Sequence, residues 1–216
     1  MKAKPEKYVF VACSYAGTDI WESDFLASVD VNPDSPNYSK VVSRAAMPIV
    51  GDEIFRFGWN VCSSSHQTPS NRMYVLLPGL RSGRINVVNV EVPDRLWMHK
   101  TIEPTTILDE TGCTVPSTVR PLPTGDILVS TLAGPSYLDT RTLPKSPGLF
   151  LLDGDFKVKQ RWDRIVDTVP CMDFWYQTGT KHPVLLSTSF AYPSTFMKGF
   201  DPRALEGKNG FGQYFS

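Results

Sequence analysis

The sequence has no block of like charge, no long apolar run and very little histidine, and each shortage removes a class of function. Its 22 basic and 22 acidic residues cancel, and they are scattered rather than gathered into the basic stripe that nucleic acid or an anionic membrane surface requires. No apolar stretch approaches the roughly 18 residues of a membrane span. Neither a nucleic-acid partner nor membrane insertion is therefore expected. The basic start, Met1-Lys-Ala-Lys-Pro5, passes straight into the strand-like Tyr8-Val-Phe-Val-Ala12. It has neither the apolar core of a signal peptide nor the Arg/Ser-rich helix of a transit peptide. Cysteine is limited to Cys13, Cys62, Cys113 and Cys171, far apart and in no CxxC spacing. Free thiols in a reducing compartment are expected rather than a disulfide framework, which places the chain in the cytoplasm. His66, His99 and His182 stand alone in loops or at a strand start and read as solvated surface. No Walker motif, dinucleotide fingerprint or serine-hydrolase elbow occurs.

What is present is β-rich. Hydrophobic residues make up 41% of the 216 residues, enough for a real core, and 18 prolines and 15 glycines punctuate the chain. Short apolar runs bounded by Gly, Pro, Asn or Asp read as strands. They are Tyr8–Ser14, Phe25–Val31, Ser39–Arg44, Met73–Leu77, Arg84–Val90, Asp126–Leu132, Gly148–Leu152, Lys157–Trp162 and Val184–Ser189. The one helical turn expected lies at Pro202–Glu206. Three runs repeat a form: Phe25-Leu-Ala-Ser-Val-Asp30, Arg84-Ile-Asn-Val-Val-Asn89 and Gly148-Leu-Phe-Leu-Leu-Asp153. Each is an apolar strand ending in Asp or Asn, followed by a turn and a second strand. The spacing of roughly sixty residues suits propeller blades with long loops. The expectation is an all-β partial β-propeller of about three to four blades of antiparallel strands, with residues 1–216 as a single domain.

Particular segments carry a family resemblance. Asp30-Val-Asn-Pro-Asp-Ser-Pro-Asn-Tyr-Ser-Lys-Val-Val42, Gly51-Asp-Glu-Ile54, Gly58-Trp-Asn-Val-Cys62-Ser-Ser-Ser65, Leu151-Leu-Asp-Gly-Asp-Phe-Lys-Val-Lys159 and Asp173-Phe-Trp-Tyr-Gln177 resemble the selenium-binding proteins. Ile127-Leu-Val-Ser-Thr131, Leu186-Ser-Thr-Ser189 and Lys198-Gly-Phe-Asp-Pro202 continue it in order to the end. The resemblance implies a β-propeller, of which this chain matches the N-terminal half. It also implies a methanethiol oxidase activity attributed to copper held by histidines, since imidazole is a suitable copper donor.

Those histidines are replaced. Where the family pattern has a His-His pair before Gly-Trp-Asn, this chain has Phe55-Arg56. In place of Pro-His-Thr-x-His-Cys it has Pro116-Ser117-Thr-Val-Arg120-Pro121, and Ser43 precedes Arg44 where a histidine is expected. Arg56 and Arg120 carry permanent positive charge and disfavour a cation, so no metal is expected near Phe55, Arg56, Ser117 or Arg120, whereas an anion there would be compatible. The resemblance ascribes selenium binding to cysteine. Ser39 occupies the position often cited, Ser65 replaces the second cysteine of the Cys-Ser-Ser-Cys pattern, and Cys62 and Cys13 remain as thiol or selenium candidates. Trp59, Asp173, Phe174 and Trp175 read as pocket lining or inter-blade core.

The functional expectation is a non-catalytic structural or interaction subunit of a larger assembly, without cofactor. The alternative is a methanethiol oxidase or selenium-binding protein that works with a complementary half-chain and takes copper or selenium. A half propeller would leave strand edges open, and Gly210–Ser216 is apolar and uncharged. Another polypeptide is therefore expected to cover the edge near residues 184–216.

Overall fold

The computed structural model describes residues 5–62, 72–134, 147–163, 170–177, 184–189 and 213–215. The first sheet comprises β1 (Tyr8–Cys13), β2 (Phe25–Asp30) and β3 (Val41–Ala46). The second comprises β4 (Gly58–Trp59), β5 (Tyr74–Pro78), β6 (Ile85–Asn89) and β7 (Trp97–Ile102). Helix α1 (Pro104–Thr111) leads to a third, β8 (Thr114–Pro121), β9 (Ile127–Ala133), β10 (Leu149–Leu152) and β11 (Val158–Arg161). The fourth holds β12 (Asp173–Tyr176), β13 (Leu185–Thr188) and β14 (Gln213–Phe215). Strands follow chain order within each sheet, and every pairing is antiparallel. The all-β partial propeller expected from the sequence is the fold observed.

Side-chain alternation along each strand explains how the sheets stack. On β5, Val75 and Leu77 join a core with Leu26, Ala45 and Met47 of the first sheet side. Between them, Leu76 points the other way, into a core with Ile127, Val129 and Phe150 of the third sheet. On β10, Phe150 and Leu152 enter that same core, whereas Leu149 and Leu151 pack with Cys171, Phe174 and Leu185 on the fourth-sheet side. Inner strands covered on both faces need apolar residues at successive positions, hence runs such as Leu149-Phe-Leu-Leu152.

The repeated strand–Asp/Asn pattern is a structural repeat. Phe25–Val31, Arg84–Val90 and Gly148–Leu152 contain β2, β6 and β10, each followed in its sheet by one further strand. Pairing to that strand shifts register at Ser28/Val29, Val87/Val88 and Leu151/Leu152 respectively. The acid or amide closes a turn each time. Asp30 Oδ1 accepts the Asn32 N–H at 2.9 Å, Asn89 Oδ1 the Glu91 N–H at 2.9 Å, and Asp153 Oδ1 the Asp155 N–H at 3.0 Å.

Helix α1 corrects the sequence reading, which expected helix only at 202–206, outside the described residues. Pro104 starts it and Gly112 stops it in the left-handed conformation (φ 67°), with the Gly112 N–H on Leu108 O at 2.8 Å. Proline at the start and glycine just past the end is the ordinary asymmetry of helix termini, but eight residues gave too little periodicity to notice. The sequence pattern does not mark β4, β8 or β12 as strands either. They prove to be the ones that build the site.

Candidate functional site

The first strands of three successive sheets, β4, β8 and β12, lie side by side at their free edges, with β8 touching both neighbours. Strand β8 is unusual backbone. Val115 has φ 55°, a left-handed conformation costly for a β-branched residue. A register shift follows between Pro116 and Val119. Such a bulge re-aims the side chains around it. Here the buried hydroxyls of Ser117 and Thr118 both donate to Met172 O at 3.1 Å, fastening β8 to the chain entering β12.

Three charged side chains meet at this junction. Arg56, just before β4, donates from Nη1 to Asp173 Oδ2 at 2.9 Å. Arg120, on β8, donates from Nη2 to Asp173 Oδ1 at 3.3 Å. Asp173, opening β12, also accepts the Phe174 N–H on Oδ1 at 2.8 Å. Each guanidinium rests near an aromatic ring: Arg56 Cζ lies 5.4 Å from the Phe55 ring centroid, and Arg120 Cζ 4.6 Å from that of Trp175. Beneath, Phe55 and Met172 pack on Leu80, Val115, Leu132 and Ala133. The three charged side chains are about one-third exposed, so the cluster opens to solvent on one side. The Nε atoms of Arg56 and Arg120 are nevertheless buried and make no hydrogen bond.

Of the residues singled out in the sequence, Phe55, Arg56, Arg120, Asp173 and Trp175 come together here, with Ser117 as the clip to β12. Asp173 was legible only as pocket or core; its pairing with both arginines was not, because its partners lie 117 and 53 residues away. Trp175 is no core residue: it is 65% exposed. Phe174, 2% exposed, is core. Trp59 is also packing, edge-on to Phe10 at 5.6 Å and covered by Arg72 at 4.2 Å.

The remaining candidates lie around this cluster or away from it. Cys13, on β1, is away from it, and burial raises its thiol pKa. Cys62 is half-buried and near the Tyr176 phenol, whose pKa is raised first by burial and then by Cys62, with Arg120 opposing. Ser39 sits in the β2–β3 turn at φ 62°, and Ser43 Oγ accepts the Leu96 N–H at 2.9 Å. His99 packs at a tilt against Tyr74 at 4.7 Å and edge-on to Phe156 at 5.9 Å; His66 and His182 lie outside the described residues. Among the described residues no group of three or more His, Cys, Asp or Glu is placed to hold a metal ion, and no helix is long and apolar enough to cross a membrane.

The most buried thiol near the site is Cys171, which accepts from Ser187 Oγ at 2.9 Å and whose pKa burial pushes up from 9.0 to about 11. The unfolded chain releases this proton near pH 9 while the folded one keeps it. Stability from this group is therefore complete below pH 9 and is lost as pH rises through about 11. Between pH 8 and 10.5 the loss from Cys171 is expected to be about 2 kcal/mol. Urea unfolding of the wild type and Cys171→Ala at both pH values isolates it. An equal pH-dependent loss in the variant would refute the assignment.

Comparison with known proteins places this arrangement in a family. The family model described as 56kDa selenium binding protein (SBP56) matches residues 1–216. The chain is 43% identical to selenium-binding protein 1 of Arabidopsis thaliana, over 93% of this chain and 40% of that protein. It is 41% identical to methanethiol oxidase of Danio rerio, over 94% of this chain and 43% of that protein. Its fold matches an X-ray structure of a hypothetical selenium-binding protein from Sulfolobus tokodaii with a TM-score of 0.83 and 31% identity, over 100% of this chain and 50% of that one. The chain thus spans less than half the length of these curated relatives, and it belongs to the selenium-binding protein family.

Proposed function

We propose that this chain is a non-catalytic member of its family, a propeller segment that serves as a structural or interaction subunit of a larger assembly. The observation that carries the reading is the Arg56–Asp173–Arg120 cluster, which stands where the resemblance calls for histidines. Copper requires lone-pair donors such as imidazole or thiolate. The two guanidinium groups have none and stay protonated, and both oxygens of Asp173 are already occupied by N–H donors. These residues do not fit a copper site. What they do is tie the edges of three sheets together through one carboxylate.

The same reading puts another polypeptide on the fourth sheet. Trp175 and Leu186 are directly paired across β12 and β13 and are 65% and 49% exposed. An adjacent exposed apolar pair of this kind suits an interface core. A second reading, thiol chemistry like that named for the methanethiol oxidase relatives and completed by a complementary half-chain, draws on Cys62, which lies near the Tyr176 phenol.

The test is elemental analysis and light scattering on protein purified from copper-supplemented cells. Copper well below one per chain, with the chain found in an assembly, is expected. One copper per chain that survives chelator dialysis would overturn the non-catalytic reading, and a lone monomer at high concentration would overturn the partner.

A further inference from the structure

We propose that Arg56 and Arg120 form a binding site for a small oxyanion, a carboxylate, sulfonate or sulfate group whose apolar remainder, where it has one, rests on Trp175 and Phe55. The proposal rests on the reading that guanidinium groups have replaced the imidazole site, and it goes beyond it by assigning a ligand class. Two arginines and one aspartate leave the cluster with one net positive charge. Asp173 consumes one Nη group from each arginine, and among the described residues no other hydrogen bond engages either guanidinium. A guanidinium has five N–H donors in a planar fork, so most of the donor capacity of both is unspent.

The two Nε–H groups decide the matter. Both are buried, and neither has an acceptor among the described residues. A buried, unsatisfied donor costs about 1–3 kcal/mol, more when it is charged, and two such donors in one cluster call for an explanation. Closed to solvent as they stand, these donors are reached only if the forks turn outward; an oxyanion at the open side of the cluster accepts from the Nη groups that Asp173 leaves unspent, supplies the acceptor for that turn and neutralises the residual charge at the same time. The aromatic rings favour that approach. Trp175 lies close to the Arg120 guanidinium and Phe55 to that of Arg56, so the apolar remainder of a ligand has rings to rest on beside the charged groups. Asp173 holds the two cations together against their mutual repulsion.

The probes are sodium sulfate and sodium methanesulfonate, titrated into the purified full chain at low ionic strength by calorimetry and by tryptophan fluorescence. Saturable binding of both is expected, with quenching that Trp175→Phe largely removes. Arg56→Gln and Arg120→Gln should each weaken binding about tenfold or more, while Arg81→Gln, which breaks only the surface pair with Glu53 at 3.6 Å, should leave it unchanged. Should a glutamine variant fail to fold, Arg120→Lys keeps the charge and loses the fork, and is expected to weaken binding as well. Asp173→Asn separates a binding site from a purely structural clamp. Asparagine keeps an acceptor oxygen between the two arginines but removes the competing charge, so sulfate binding should tighten several-fold even as the protein loses stability, whereas a clamp would show the loss alone. Absence of saturable binding in the wild type, or binding indifferent to Arg56 and Arg120, would overturn the proposal. Copper content reports on the non-catalytic reading independently, so a chain without copper and without sulfate affinity defeats this inference and leaves that reading standing.

Discussion

Replacing Phe150 with alanine is expected to lower stability by about 3–5 kcal/mol, a large share of the 5–15 kcal/mol typical of a folded domain. Phe150 is fully buried in the middle of β10, paired with Val129 on one side and Arg161 on the other. Its ring enters the core that joins the second and third sheets, among Leu76, Ile85, Val87, Ile127 and Leu152, with Ile107 contributed by α1. Ladder hydrogen bonds on both sides hold β10 in place, so the neighbours have little freedom to collapse into the space left by the ring. A retained cavity puts the cost toward the upper part of the range. Urea unfolding should show a midpoint lower by roughly 1–3 M with little change in slope. Leu186→Ala, at a 49% exposed position, should change stability by no more than about 0.5 kcal/mol in the isolated chain. If the two substitutions cost the same, the sheets do not stack through Phe150 as described.

The contrast between these positions shows what a sequence can reveal. Strands covered on both faces announce themselves as unbroken apolar runs, so β5, β6, β9 and β10 are legible. The turns after β2, β6 and β10 are legible for a different reason. Their Asp or Asn bonds an N–H only two residues on, so the signal is local. Strand β8 hides because Thr114-Val-Pro-Ser-Thr-Val-Arg-Pro121 contains two prolines, which only an edge strand tolerates. Strand β4 is two residues long and offers no pattern to find. The site inherits this illegibility, being built on those edges. Arg56 and Arg120 are conspicuous as substitutions in a family pattern, but nothing local to either says that one carboxylate will bridge them. That follows from the alignment of three sheets, which is fixed by cores elsewhere. Trp175 shows the converse: an aromatic cluster in the sequence suggests core, yet strand alternation buries Phe174 and turns its neighbour outward to meet Arg120.

Gly58→Ala should be the most disruptive single-methyl change available at the site, costing about 1–3 kcal/mol by overpacking and abolishing sulfate binding with it. A Cβ on Gly58 would stand 2.4 Å from Val119 O and 3.2 Å from the Val119 carbonyl carbon. Those are backbone atoms of β8, which cannot swing aside as a flexible side chain would. Either β4 or β8 must retreat, and each is tied elsewhere: Gly58 to Leu76 of β5, and Val119 to Val129 of β9. The displacement reaches the charged cluster directly, because Arg56 lies two residues before Gly58 and Arg120 immediately follows Val119. Separating them loosens both contacts to Asp173, now at 2.9 and 3.3 Å. Gly112→Ala supplies the comparison. That glycine has φ +67° with nothing within 4 Å of the added carbon, so alanine there incurs only the backbone cost of a left-handed residue, about 1 kcal/mol, and should leave sulfate affinity intact. Thermal unfolding and sulfate titration of the two variants side by side read both effects. Equal stability loss with unchanged affinity in both would mean that β4 and β8 do not set the spacing of the two arginines.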